Sequence, residues 1–579
     1  MSGALLVAGT ASDAGKSVVV AGICRHLARL GVRVAPFKAQ NMALNSAVTP
    51  YGAEIGRAQV AQAAAAGVTP EAAMNPILLK PAGERVSQVM VMGRPYTTVD
   101  ARSYQELKPR LRGVVLEALA DLRRRFDAVI CEGAGSPAEV NLRANDLVNL
   151  GLARAADLPV VVVGDIDRGG VLASLYGTLA LLEAADQALV AGFLINKFRG
   201  DHAVLAPGLE QLQGLTGRPV LGVLPWRRGL WLDVEDSLAL EAPRDGALPP
   251  LGADSLVVAV ARLRWLSNFT DFDALAAEPG VVVRFTESAA ELLAADLAVL
   301  PGTKATVGDL AWLRARGLDK AIAARAARGL PTLGICGGYQ MLGHRIADPL
   351  GVESDSGEVA GLGVLPVETT FAATKTLATP SGSAPAFGGV PAAGYEIHHG
   401  RTRRLGGTPV LAAGGDGDEG CRHGAVVGIA WHGIFEGDAF RRAFLTWVAA
   451  ERGLDWVPGS RAFAAVRAER LDALGDLIAH HSDTAALERL IRHGAPPGLP
   501  VIRPGKAPRP SRARRPQAAS GPLPTDAQEP TTDPPAAVAV EPNLGAARTP
   551  PSPRGVPLSR VNHVPEGRAG RYPQGGGAR

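Results

Sequence analysis

Apolar runs recur along the first part of the chain, and each one closes on a cluster of polar residues and glycines. Residues 4–8, 32–38, 127–131, 158–164, 191–195 and 220–225 are rich in Val, Leu, Ile and Ala with little alternation. That is the pattern of strands covered on both faces. Between them, apolar positions return at helical spacing in residues 18–30, and residues 59–66 form an Ala-rich stretch. Strands alternating with helices predict a parallel, doubly wound sheet with ligands at the strand C-termini. Residues 241–253, rich in Pro, Gly and Ala, read as a linker that ends a first domain of residues 1–240. A second series of strands follows at 256–260, 281–285, 296–300 and 330–335, predicting a second α/β domain over residues 254–450. The expected fold class is therefore α/β, with two doubly wound domains. In the segment 451–495, Leu471, Leu474, Leu477 and Ile478 stand at helical spacing and predict a packing or interaction helix pair. Residues 496–579, most clearly from Pro504 on, are Pro-, Ala- and Arg-rich with few aromatics. Such a composition buries too little apolar surface to offset chain entropy, so a disordered tail is expected.

Composition narrows the class. The chain has 579 residues, 47% hydrophobic and 20% charged, an ordinary soluble balance. The net charge of +4 rests largely on the tail, so no nucleic-acid surface is expected. Four scattered cysteines lack metal-ligand spacing and indicate a reducing compartment. The opening residues lack a charged leader, and no apolar run reaches the roughly 18 residues of a membrane span. A cytoplasmic protein is expected.

The strand ends carry the chemistry. Residues 4–8 run into Gly9, Thr10, Asp13, Ala14, Gly15, Lys16 and Ser17, then a helix. Strand, glycine loop, Gly-Lys-Ser and helix are the setting of a phosphate loop. Its backbone N–H groups wrap phosphate oxygens, Lys16 reaches the β- and γ-phosphates, and Ser17 is a ligand for Mg²⁺. Five residues separate Gly9 from Gly15, where the standard loop has four. Lys38, at the next strand end beside Asn41 and Asn45, suits a substrate carboxylate. Glu54 reads either as a magnesium ligand or as a helix-face carboxylate. Glu132 ends a strand before Gly-Ala-Gly, where a phosphate-loop enzyme holds Mg²⁺ or its water. The run Asp165 to Gly170 leaves phosphate, metal and substrate roles open. Asn196, at a later strand end, is the candidate reader of an adenine edge.

In the second domain an apolar strand runs directly into Cys336, two glycines and a helical Tyr-Gln-Met-Leu. This elbow sets a thiol at a sheet edge and at a helix start, with backbone N–H groups close enough to hold an oxyanion. A second strand ends in His432. A thiol with a distant histidine is the nucleophile–base pair of covalent acyl transfer.

Three stretches carry a resemblance: Pro301-Gly-Thr-Lys304, the elbow around Cys336, and Trp431-His-Gly-Ile-Phe-Glu-Gly-Asp438. Together they resemble the class I glutamine amidotransferase domain, and more closely its cobyric acid synthase branch. Lys38 to Ser46 and Gly164 to Gly170 resemble the same branch, and the longer phosphate loop is similar to that of dethiobiotin synthetase. Ordinary class I domains carry a Glu two residues after the His; here Ile434 stands there, as in the narrower branch. That leaves open what orients His432, with Glu436 a candidate. The resemblance places Gly302 and Gly337 in an oxyanion hole and residues 394–400 at the lip of a glutamine pocket. It implies glutamine as nitrogen donor, ATP with Mg²⁺, and a corrinoid substrate. The implied reaction amidates carboxylates b, d, e and g of adenosylcobyrinic acid a,c-diamide. Cobyrinic acid a,c-diamide synthase, a switch ATPase and a bare cysteine hydrolase are the alternatives.

Overall fold

The strand Gly3–Gly9 is fully covered from Leu5 to Ala8 and lies inside a six-stranded parallel sheet. The order is Val220–Pro225, Val190–Phe198, Val160–Asp165, Gly3–Gly9, Ala128–Glu132, Val34–Phe37. Helices cover both faces, as the unbroken apolar runs require. The register sets Val7 beside Glu132 and Phe37 beside Cys131. The phosphate loop, Glu132 and Lys38 thus leave the same edge from three adjacent strands.

The second sheet has the order Val281–Thr286, Leu256–Ala261, Leu297–Leu300, Thr332–Ile335, Val426–Ile429, Cys421–His423. Only the last pair is antiparallel. Ile335 stands beside Ile429, so Cys336 and His432 leave neighbouring parallel strands at the same end. Both sheets belong to one compact unit, Met1–Lys506. The computed structural model describes residues 3–83, 85–227, 229–230, 248–413 and 417–503.

Smaller elements join the two sheets, and the sequence pattern did not announce them. Gln40–Met42, Ile77–Pro81, Ser87–Val91 and Arg94–Val99 form a side sheet, and Ser46–Val48 pairs with Glu54–Gly56. In the second domain the long strands Val367–Ala378 and Glu396–Arg404 pair antiparallel.

The helices Phe463–His481 and Thr484–His493 do not stand apart as their own segment. Leu471, Leu474, Leu477, Ile478, Leu487 and Ile491 share one apolar cluster with Leu5, Val7, Val19 and Val20 of the first domain. Arg25 and Arg29 pair with Asp472 and Asp476 on the same face. The chain therefore leaves the first domain, builds the second, and returns to cover the first. Residues 496–503, read from composition as part of a disordered tail, are tied to it too. Gln187 and Ile502 exchange two hydrogen bonds of 3.0 and 2.7 Å, and the Arg218 guanidinium donates to the Pro500 carbonyl. The expected linker residues 241–247 and tail residues 504–579 lie outside the described residues; residues 248–253 carry no helix or strand. Among the described residues, no helix is long and apolar enough to cross a membrane.

Candidate active site

The phosphate loop turns on Gly15, whose φ of 97° is left-handed. A Cβ there would lie 2.0 Å from Asn196 Nδ2, so both backbone conformation and space require glycine. Asn196 Nδ2 donates to the Ala14 carbonyl at 3.0 Å, which makes this side chain part of the loop's wall. Thr10 N–H donates to the Val163 carbonyl, and the exposed Asp13 pairs with Arg168. Lys16 is buried, and its Nζ donates to the carbonyls of Ala11, Ser12 and Gly135 at 2.8, 3.0 and 3.2 Å. Lys197 Nζ bridges Asp165 Oδ2, at 2.7 Å, and the Asp13 carbonyl, at 3.0 Å.

Glu132 is the hub of this edge. Its Oε1 accepts from Ser17 Oγ at 2.9 Å and from Lys38 Nζ at 2.9 Å, and its Oε2 from Gln62. Burial alone would raise its pKa, but Lys38, Gln62 and Lys16 together lower it. A carboxylate and a hydroxyl side by side at a phosphate loop are the oxygen donors that Mg²⁺ takes, so Ser17 and Glu132 fit that ion.

Glu54 does not. It is fully buried on the Glu54–Gly56 strand, where Ser46 Oγ donates at 2.8 Å, Lys375 Nζ at 2.6 Å, and Lys80 Nζ donates as well. Burial alone would raise its pKa, yet Lys375 and Lys80 hold it far below the usual carboxylate range. Two ammonium groups, one from each sheet's surroundings, have taken the place a cation would occupy. The sequence could not reveal this, because Lys375 lies 321 residues away.

Asn41 and Asn45 are also turned toward protein. Asn41 Nδ2 donates to Gln59 Oε1 at 2.9 Å, and Asn45 Oδ1 accepts from the Phe269 N–H at 3.1 Å. Both are buried. Asn41 thus holds a side chain of its own domain and Asn45 the backbone of the other, while Lys38 reaches the phosphate-loop edge.

Cys336 has φ 48° and ψ −107°, the strained turn of a nucleophile elbow, and starts the short helix Gly337–Leu342. His432 is 1% exposed. Its Nδ1 lies 2.7 Å from Asp271 Oδ2, and Asp271 Oδ1 accepts from the Gly433 N–H at 2.7 Å. Burial alone would lower the His432 pKa; the carboxylate of Asp271 and the sulfur of Cys336 reverse this and raise it to about 10. A thiol, an imidazole and a carboxylate thus stand in line, each able to fix the next. Asp271 was legible only as part of a polar strand-end loop. Glu436 is not the orienting group: Arg57 and Arg467 hold it, the latter at 2.9 and 3.0 Å.

Gly302 and Gly337 flank this line. A Cβ at Gly302 would lie 2.6 Å from His432 Cε1, so only glycine leaves room for the imidazole. A cavity of about 30 Å³ reaches from Cys336 and His432, past Thr303 and Lys304, to Lys80 and Lys375. It shares Gln340 and His398 with a wider one of about 460 Å³, lined by Glu396, Gly400, Arg401 and Glu419. The first is a narrow recess at the thiol; the second has room for an amino-acid head.

Residues 5–238 match the CobQ/CobB/MinD/ParA nucleotide binding domain, and residues 257–440 match the CobB/CobQ-like glutamine amidotransferase domain. A cobyric acid synthase from Frankia casuarinae is 60% identical over 528 residues, covering 87% of this chain and 100% of that protein. The chain belongs to the cobyric acid synthase family. A second cobyric acid synthase, from Streptomyces coelicolor, is 60% identical over 511 residues, covering 87% of this chain and 99% of its own. A solved glutamine amidotransferase aligns over 34% of this chain and 99% of its own at 20% identity, with a TM-score of 0.28. As a member of the cobyric acid synthase family, the protein is a glutamine amidotransferase-containing ligase of cobalamin biosynthesis.

Proposed function

We propose that the protein uses glutamine and ATP to convert the b, d, e and g carboxylates of adenosylcobyrinic acid a,c-diamide to amides, giving adenosylcobyric acid. The observation that carries this reading is one compact unit holding two sites: Cys336–His432–Asp271 on one sheet edge and Lys16–Ser17–Glu132–Lys38 on the other. The family membership supports the choice of substrate.

Glutamine seats its amino-acid head in the wide cavity by Gln340 and His398 and its side-chain amide at Cys336. The sulfur attacks the amide carbon; the N–H groups by Gly302 and Gly337 hold the oxyanion. His432, oriented by Asp271, gives its proton to the leaving nitrogen. Ammonia departs, and water, deprotonated by His432, cleaves the thioester to release glutamate. At the other edge Lys16 and Lys38 face the γ-phosphoryl group and the corrinoid carboxylate; the carboxylate oxygen takes the phosphoryl, giving an acyl phosphate, and ADP leaves. Ser17 and Glu132 would hold Mg²⁺, which neutralises phosphate charge. Ammonia then attacks the acyl carbon, phosphate leaves, and the amide remains. Free ammonia is mostly protonated at neutral pH, and the protonated form is not a nucleophile. The small cavity from Cys336 to Lys80 gives it a sheltered start toward the first domain.

The test is mass spectrometry of adenosylcobyrinic acid a,c-diamide incubated with protein, MgATP and glutamine. Each amidation lowers the mass by about 1 Da as OH becomes NH₂. Four successive steps are expected. Glutamate release with an unchanged corrinoid would remove the substrate assignment; if cobyrinic acid, supplied in a parallel incubation, then gains two amides only, the assignment moves to the a,c-diamide synthase.

A further inference from the structure

The glutaminase line does not end at Asp271. Asp271 sits on the one-turn helix Phe269–Phe272, preceded by Asn268 in the left-handed region at φ 53° and ψ 38°. Asp271 N–H donates to the Asn268 carbonyl at 3.0 Å, and Ser267 N–H donates to the Gly302 carbonyl at 2.9 Å. This loop therefore fixes both the carboxylate behind His432 and the glycine in front of it. A loop this short, with a left-handed Asn, needs an outside support.

That support comes from the first domain through a reciprocal pair. Asn45 Oδ1 accepts from the Phe269 N–H at 3.1 Å, and Asn268 Oδ1 accepts from the Ser46 N–H at 3.1 Å. Asn45, Ser46, Asn268 and Asp271 are each at most 4% exposed. Buried bonds of this kind are costly to leave half made. Asn45 also anchors its own domain, its carbonyl accepting from the Arg57 N–H at 3.1 Å. The same segment begins at Lys38, on Glu132 of the phosphate-loop edge.

We propose that Asn45 and Asn268 are positioning residues for glutamine hydrolysis, holding Asp271, and through it His432, from the nucleotide-binding domain. The thiol site is thus completed by a side chain of the other domain, and a movement of residues 38–46 at the phosphate edge is transmitted to His432. This rests on the reading of His432 as the base that Asp271 orients.

The test compares Asn45→Ala, Asn268→Gly and Asp271→Asn in the full chain with MgATP and adenosylcobyrinic acid a,c-diamide. Asn268→Gly keeps the left-handed backbone while removing the acceptor. Glutamine hydrolysis is measured as kcat and KM, and amidation is measured with ammonium chloride in place of glutamine. For Asn45→Ala and Asn268→Gly, kcat for glutamine is expected to fall about tenfold or more, as misplacement of a catalytic group does. The KM for glutamine and ammonia-dependent amidation stay within about twofold, a split that general loss of structure does not give. Equal loss with both nitrogen sources would overturn the proposal, placing Asn45 at the synthase site or in folding alone. Unchanged glutamine turnover in both Asn variants, with Asp271→Asn crippled, would overturn it while leaving the His432 reading intact. Normal hydrolysis by Asp271→Asn would sink that reading itself.

Discussion

Asp271 Oδ2 stands 2.7 Å from His432 Nδ1, across 161 residues of sequence. This pair supplies what the missing Glu after the histidine leaves undone. The carboxylate comes from a loop that follows the same domain's first strand, Leu256–Ala261, and reaches Nδ1 of the ring. It fixes the tautomer and favours the charged ring.

Asp271→Asn is expected to lower kcat/KM for glutamine hydrolysis by about a hundredfold or more, as loss of an orienting carboxylate does elsewhere. The sign of the pH effect follows from the raised pKa of His432, about 10. Without the negative charge the imidazolium loses its proton at lower pH, so the alkaline limb of the profile moves down. A pH series of glutamate release checks both points; an unmoved limb would remove Asp271 from the line.

The two sites are expected to separate cleanly. Cys336→Ala abolishes glutamine-dependent amidation and leaves amidation with ammonium chloride. Lys16→Ala abolishes amidation with either nitrogen source. Parallel assays decide; if Cys336→Ala kills both, the sites are not independent.

At Gly302 a single methyl tests the geometry. A Cβ there meets His432 Cε1 at 2.6 Å, so Gly302→Ala pushes the imidazole off its line. Glutamine turnover is expected to drop at least about tenfold, with ammonia-dependent amidation retained.

Glu436 carries a pH signature of stability. Burial alone would raise its pKa, but Arg57 and Arg467 hold it down at about 2. The ordinary value is about 4.3. Its stabilisation is therefore present above that ordinary value and is lost as pH falls through about 2. Urea unfolding should find Glu436→Gln less stable than the parent at neutral pH, with the gap closing in acid.

Leu474 is 1% exposed against the first domain's core. Leu474→Ala is expected to cost about 2–5 kcal/mol, the range for buried Leu truncation. It should lower the unfolding midpoint of the nucleotide-binding domain. A free accessory helix would show no such change.

Local chemistry was legible in the sequence; long-range chemistry was not. The phosphate loop and the Cys336 elbow read correctly because strand, turn and helix are consecutive, and backbone demands within a few residues single out glycine. Glu132 and His432 were singled out because strand ends in a parallel sheet converge on one edge, and the structure places each at such an end. Asp271 was missed because nothing in a polar loop says which histidine it will face. Glu54, read either as a magnesium ligand or as a helix-face carboxylate, stands on a strand between Lys80 and Lys375, which come from separate parts of the chain. Asn41 and Asn45, polar and near Lys38, looked like substrate contacts until the fold enclosed them. The spacing of Leu471, Leu474 and Leu477 announced an apolar helix face but not the surface it covers.

The return of the chain to its first domain has a consequence for the order in which the molecule is made. Arg25 and Asp472 pair across 447 residues. The strand Gly3–Gly9 leaves the ribosome before the amidotransferase domain, yet the helices Phe463–His481 and Thr484–His493 that close its sheet's second face come after it. Until then Val19, Val20 and Ile23 have no cover from these helices. Contacts so distant in sequence are slow to form, and exposed apolar faces invite association. The nucleotide-binding domain is thus begun before the glutaminase domain and finished after it.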